Sequence, residues 1–178
     1  MLQEIIIAGF GGQGVMSMGQ LLAYAGMLEG KHVSWIPSYG PEMRGGTANC
    51  AVTISDMEIG SPIVSEPNSV IVLNLPSLIK FEPTLVPGGL LLLNTLVAGQ
   101  KYTRKDVSGY EIPAVEIADR LGNTKVANMV MLGAYLKATN VVSVDSVIES
   151  LKKVLPQRRH NLIPLNRQAL ELGASELK

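Results

Sequence analysis

The sequence predicts a three-layer α/β sandwich: a mixed, mostly parallel sheet with helices on both faces. Three observations predict it. Glu4-Ile5-Ile6-Ile7-Ala8, Ser69-Val70-Ile71-Val72-Leu73-Asn74 and Gly89-Leu90-Leu91-Leu92-Leu93-Asn94 are apolar runs of strand length that do not alternate. They therefore read as strands buried on both faces. Segments with helix start and stop signals fill much of the chain between and after them. The first run leads through glycines directly into a helical pattern, the order of a β-α unit.

The elements follow in order. A helix is expected over 15–29, closed by Gly30 at its C-terminus. Gly19, Ala23 and Gly26 recur in it at helical spacing. Glycine inside a helix costs about 1 kcal/mol, so this stripe implies close approach to a sheet. Residues 32–37 and 49–55 read as two further strands. Their connection is too short for a helical crossover, which makes them antiparallel. Between the strands at 69–74 and 89–94 a helical turn over 77–81 completes a small β-α-β unit, right-handed by default. Helices are expected over 113–121, 125–138, 144–155 and 164–172. Ser143 caps the third of these, Pro156 stops it, Pro164 opens the last and Gly173 ends it. The expected organisation is one domain over 1–178, with the C-terminal helices of 143–178 packed on it.

Composition narrows the function classes. Fifteen basic and fifteen acidic residues cancel, and one tryptophan, five tyrosines and two phenylalanines offer little for base stacking. A nucleic-acid partner is therefore not expected. No run approaches the roughly 18 apolar residues of a spanning helix, and no signal peptide is visible, so no membrane is expected. The chain is 47% hydrophobic and only 17% charged, which suggests that part of its surface meets another protein. A single cysteine, Cys50, excludes an internal disulfide and fits a cytoplasmic setting. It also excludes a four-cysteine cluster or zinc knuckle, and the isolated His32 and His160 give no metal site.

Two glycine-rich segments carry the functional signal. Gly9-Phe10-Gly11-Gly12-Gln13-Gly14 satisfies G-x-G-x-x-G between a strand and a helix, where free N–H groups attract an anion. The acid that would hold a ribose at the end of the second strand is missing, since Ile36-Pro37-Ser38 stand there. Glu29 lies at that strand's other end. A free-standing NAD-binding oxidoreductase is thus the alternative, not the leading reading. Val15-Met16 replace the Lys-Ser/Thr of a Walker loop. The second segment, Tyr39-Gly40-Pro41-Glu42-Met43-Arg44-Gly45-Gly46-Thr47-Ala48-Asn49-Cys50, sets an acid and a base beside adjacent glycines. Arg44 can hold a carboxylate or phosphate with two bonds, or pair with Glu42. Asn74 and Asn94, at strand ends, are ligand contacts or turn formers. Lys152, Lys153, Arg158 and Arg159 read as a solvated face. No catalytic constellation is complete.

The two loops together resemble the gamma subunit of 2-oxoacid:ferredoxin oxidoreductases. The family pattern has a strand and G-x-G-G-Q-G, matched by residues 9–14. P-S-Y-G-P-E-x-R-G-G follows, matched by residues 37–46. A later N-x-V-M-L-G-A is matched by Asn128-Met129-Val130-Met131-Leu132-Gly133-Ala134. The form of the middle segment looks closest to the 2-oxoglutarate enzymes, with a branched-chain 2-oxoacid enzyme left open. The resemblance implies a subunit that encloses the active site and the coenzyme A approach, inactive alone. Its ligand-facing residues would be Gly9, Gly11, Gly12, Gln13, Gly14, Glu42, Arg44, Gly45, Gly46 and Asn128, with none catalytic and none binding metal. Thiamine diphosphate, magnesium and iron–sulfur clusters are expected on partner subunits, and coenzyme A as cosubstrate. The expected partners are alpha and beta subunits, a small ferredoxin-like delta subunit, and ferredoxin. An assembly subunit without a ligand role is the other alternative.

Overall fold

Six strands form the middle layer of the computed structural model, which describes residues 1–38, 47–95 and 102–177. They are β1 (Leu2–Phe10), β2 (His32–Ser38), β3 (Thr47–Ser55), β4 (Ser69–Val72), β5 (Leu90–Asn94) and β6 (Ser108–Ile112). Their order across the sheet is β2-β3-β1-β4-β5-β6. β3 is antiparallel to both of its neighbours, whereas β1, β4, β5 and β6 run parallel. The mixed, mostly parallel sheet is the one the sequence predicts, including the antiparallel β2–β3 pair.

The helices are α1 (Val15–Leu28), α2 (Leu75–Phe81), α3 (Ala114–Arg120), α4 (Ala127–Thr139), α5 (Val144–Val154) and α6 (Ile163–Ser175). Successive strand residues point to opposite faces. Ile5 and Ile7 accordingly join the core shared with α1, α3, α4, α5 and α6, while Ile6 and Ala8 join Leu78 and Phe81 of α2. Helices cover both faces, but unequally: among the described residues five stand on one and only α2, with the 3-10 turn Glu82–Thr84, on the other. The buried Glu82 carboxylate accepts hydrogen bonds from the backbone N–H groups of Thr103 (2.5 Å) and Arg104 (2.8 Å), which holds the chain leading into β6.

The glycine stripe of α1 behaves as its spacing implies. A Cβ on Gly19 would fall 2.5 Å from Cys50 Sγ and 2.8 Å from Trp35 Nε1, so α1 rests directly on β2 and β3. Ala23 lies at the edge of this contact, half-buried.

Four expectations need correction. Gly173 does not end the last helix; it lies inside α6, which runs to Ser175. There a Cβ would collide with the carbonyl oxygen of Val130, so close helix packing outweighs the glycine's propensity to terminate. β6 was not expected, because Ser108-Gly109-Tyr110-Glu111-Ile112 has one buried apolar residue, Ile112. It forms as an edge strand on the open side of β5. β4 stops at Val72, short of Asn74, which instead caps α2 by accepting the N–H of Ser77 at 2.8 Å. The helix expected from Lys125 begins as a 3-10 turn, Thr124–Val126, and becomes α-helical at Ala127.

Candidate functional site

The carboxyl ends of β1, β4 and β5 converge at one edge of the sheet, and the glycine loop is the first thing built on them. Chain connections leave β1 and β4 in opposite directions across the sheet, through α1 toward β2 and through α2 toward β5. That divergence opens a crevice where ligands of open α/β sheets bind. Gly9 is buried there, with no room for a side chain: a Cβ would lie 2.8 Å from Gln13 Oε1 and 2.9 Å from Leu73 Cβ.

Gln13 fastens the loop. Its Oε1 accepts the N–H of Phe10 at 2.6 Å, and its Nε2 donates to the carbonyl of Leu73 at 3.2 Å. The side chain thus spans from the end of β1 to the end of β4. Gly14 is the N-cap of α1 with φ 82°, a conformation that costs other residues about 1–2 kcal/mol. Among the described residues no side chain caps α1, and no acid occupies its first turn, so its first N–H groups suit an anion. A cleft of about 300 Å³ lies against this terminus, bounded by Phe10, Gly11, Gly12, Gly14, Ser17 and Ala48.

A second crevice of about 230 Å³ adjoins it across Gly12, between Gln13, Leu73, Asn94, Lys125 and Asn128. Asn128, at the start of α4, lies directly over Gly14, where a Cβ would come within 2.8 Å of its Cγ. The structure therefore joins Gly9, Gly11, Gly12, Gln13, Gly14 and Asn128, over a hundred residues apart in sequence, around one edge. Glu42, Arg44, Gly45 and Gly46 lie outside the described residues. Thr47, the first described residue after them, pairs with Phe10, and Ser38, the last before them, pairs with Asn49. Asn94 joins the crevice and was visible as a strand-end asparagine. Ala48 falls in the second glycine-rich segment, whereas Ser17 and Lys125 were not singled out, since nothing in their local sequence distinguishes them.

Other groups are committed to structure. Cys50 is fully buried, its thiol directed at the carbonyl of Val15 at 3.6 Å, and burial pushes its pKa up to about 12. Partial burial of Glu29 opposes ionisation. The hydrogen bonds it accepts from Ser143 N–H and Ser146 Oγ, both 2.7 Å, together with Lys31, outweigh that and hold its carboxyl below the ordinary range. Glu29 thus ties α1 to the start of α5 and does not reach the carboxyl edge. Lys152 pairs with Glu149 at 2.7 Å, and Lys153, Arg158 and Arg159 are exposed, as a solvated face should be. Among the described residues no group of three His, Cys, Asp or Glu could hold a metal ion, and no helix is long and apolar enough to cross a membrane.

The family model for pyruvate ferredoxin/flavodoxin oxidoreductase matches residues 4–176. The chain belongs to this family. Ketoisovalerate oxidoreductase subunit VorA of Methanothermobacter thermautotrophicus is 42% identical over 174 residues, covering 96% of this chain and 35% of that protein. The chain thus spans about a third of VorA's length. 2-oxoglutarate synthase subunit KorC of Methanothermobacter marburgensis is 38% identical over 163 residues, covering 88% of both chains. Among solved structures, the gamma subunit of a keto/oxoacid ferredoxin oxidoreductase from Geobacter sulfurreducens superposes with a TM-score of 0.83 at 28% identity, over 98% of this chain and 97% of that one. The pyruvate ferredoxin/flavodoxin oxidoreductase family is the one that the two glycine segments point to.

Proposed function

We propose that this chain is the gamma subunit of a cytoplasmic 2-oxoacid:ferredoxin oxidoreductase complex. The reaction would convert 2-oxoglutarate, coenzyme A and oxidised ferredoxin to succinyl-CoA, CO₂ and reduced ferredoxin. The observation that carries the reading is the union of the glycine loop, the uncapped start of α1 and Asn128 at the carboxyl edge of the sheet. That edge is equipped to hold an anionic ligand, and the described residues bring no acid, base or nucleophile set to it. A subunit that contributes contacts to a shared site has this form; a self-sufficient catalyst does not. The length-matched similarity to KorC supports 2-oxoglutarate as the substrate. A second reading, a branched-chain 2-oxoacid, is favoured by the higher identity to VorA.

The chain's own residues do not fit the family's redox groups. Its one cysteine is buried and held as the neutral thiol, so it supplies no cluster ligand set. Thiamine diphosphate, magnesium and the clusters are accordingly assigned to the alpha, beta and delta partners. The role of this chain is to close one side of the site and to guide coenzyme A, with Arg44 as its candidate anion contact.

Co-purification from the native host tests the assembly, with the partner chains identified and 2-oxoglutarate and branched-chain 2-oxoacids assayed in parallel. Partners carrying thiamine and cluster motifs are expected; a solitary chain would sink the reading. In the reassembled complex, Arg44→Ala should weaken coenzyme A. An unchanged affinity with assembly intact would remove the ligand role of Arg44.

A further inference from the structure

We propose that the cleft at the amino ends of β1, β4, β5 and β6 binds a neutral, hydroxyl-rich small molecule of sugar size. This site stands apart from the carboxyl edge, so either reading can fail while the other holds.

The parallel strands place the cleft. Ser69, Leu90 and Ser108 are in register as the first residues of β4, β5 and β6. Gln3 of β1 and Thr139 at the end of α4 lie beside them, and the turn 86–89 forms a further wall. Together they enclose about 470 Å³, within the range of small-molecule sites. The glycine loop is at the opposite end of the same strands.

Gln3 carries the argument. Its Oε1 accepts hydrogen bonds from Ser69 Oγ at 3.2 Å and from Tyr135 OH at 3.3 Å. Tyr135 is fully buried, and burial pushes its phenol pKa up, so the group stays a donor. Both lone pairs of the Gln3 oxygen are thereby occupied, which sets the orientation of the amide. Its Nε2 is left with two N–H groups and no partner among the described residues. The neighbouring polar groups are committed elsewhere. Asn68 Nδ2 donates to the carbonyl of Leu2 and its Oδ1 accepts the N–H of Glu4, both at 3.0 Å. Thr139 Oγ1 donates to the carbonyl of Tyr135 at 2.9 Å. The N–H groups of Gly89 and Leu90 donate to the carbonyls of Val86 and Asn68. Gln3 Nε2 and the hydroxyls of Ser108 and Tyr110 are therefore what the cleft presents to an occupant.

That set selects a chemical class. Among the described residues lining the cleft none is charged, so an ion entering it would give up hydration without a counter-charge. A hydrocarbon would leave the Gln3 N–H groups unmet. A hydroxyl both accepts and donates, so adjacent hydroxyls of a sugar ring can take both N–H groups of one carboxamide and still meet Ser108 and Tyr110. Tyr110 is 40% exposed, and with Leu90 and Val86 it gives the C–H face of such a ring an apolar surface.

The test titrates the full ¹⁵N-labelled chain separately with maltose, adenosine and inorganic phosphate. Maltose is expected to shift the side-chain amide of Gln3 and the backbone amides of Gly88, Gly89 and Ser108, and to leave residues 9–14 unmoved. Ser108→Ala and Tyr110→Ala, both at exposed positions of an edge strand, should change the melting temperature little and weaken maltose about tenfold or more. Gln3→Leu should abolish the shifts. Because it also removes the acceptor of Tyr135, the two exposed variants decide the matter if it does not fold. Maltose that leaves the Gln3 amide unmoved, or that binds both exposed variants as tightly as the unmodified chain, would overturn the proposal. So would adenosine or phosphate shifting the Gln3 amide where maltose does not, since the cleft would then take a flat base or an anion.

Discussion

Gly14 and Asn128 are in direct contact, which docks the start of α4 on the start of α1. A Cβ on Gly14 would lie 2.8 Å from Asn128 Cγ, and the residue holds φ 82°. One position thus meets two demands, a left-handed backbone and an absent side chain. Gly14→Ala should therefore cost about 2–3 kcal/mol, the αL penalty plus displacement of Asn128. Urea unfolding measures this. Gly60→Ala is the control: nothing lies within 4 Å of the added carbon, so its midpoint should barely move.

Gly133 of α4 and Gly173 of α6 form a reciprocal backbone contact. A Cβ on Gly133 would collide with the carbonyl oxygen of Leu170, and one on Gly173 with that of Val130. Backbone cannot step aside as a flexible side chain can. Each alanine should cost about 3 kcal/mol, and the double variant less than the sum, because the first separates the helices for both. Denaturant midpoints of the two single variants and the pair check this.

Gln13→Leu removes the tie from Phe10 to Leu73. Both of its hydrogen bonds vanish and the Phe10 N–H loses its acceptor. A destabilisation of about 1–3 kcal/mol is expected. The Phe10 amide should also exchange with solvent faster, measured by hydrogen exchange, since its protection came from this side chain. An unchanged exchange rate would show that the loop holds itself.

Glu29 gives the stability a pH dependence of known sign. Its carboxyl is held below its ordinary value of 4.5, so folding is favoured fully above that value. The contribution is lost as pH falls through 4.5 to the lower folded value. Between pH 7 and pH 4 the unmodified chain should lose more stability than Glu29→Gln, which has no carboxyl to protonate at this position. Equal losses in urea titrations at the two pH values would contradict the assignment.

Cys50 should resist iodoacetamide in the folded chain and react once urea exposes it. Burial both covers the thiol and raises its pKa to about 12, so little thiolate exists at pH 8. Mass spectrometry of native and denatured samples reads the difference.

Much of the fold was legible because strong local signals and long-range burial agreed. The non-alternating isoleucines of β1 and leucines of β5 announce strands covered on both faces, and both are so covered. The spacing of Gly19 and Gly26 announced close helix–sheet contact, because glycine in a helix is unfavourable unless something needs the space. Where local signal and packing disagreed, packing won. Gly173 has the mark of a helix stop, yet α4 presses on it and α6 continues. β6 has almost no strand signal, yet β5 offers it an open edge.

The same division holds for the site. By itself the sequence determined the glycine loop, the arginine-bearing segment that follows it and the family, because these depend on residue type and short spacing. Only the tertiary structure decided that Asn128 lies on Gly14, that Gln13 is a brace, that Asn74 is a cap, and that Asn94 lines the same crevice as Asn128. Those facts depend on which backbone groups converge at the sheet edge. Residues 14, 94 and 128 are separated by many tens of positions, and no local pattern records their meeting. Parallel strands bring their carboxyl ends to one side, and that geometric fact makes one site from dispersed residues.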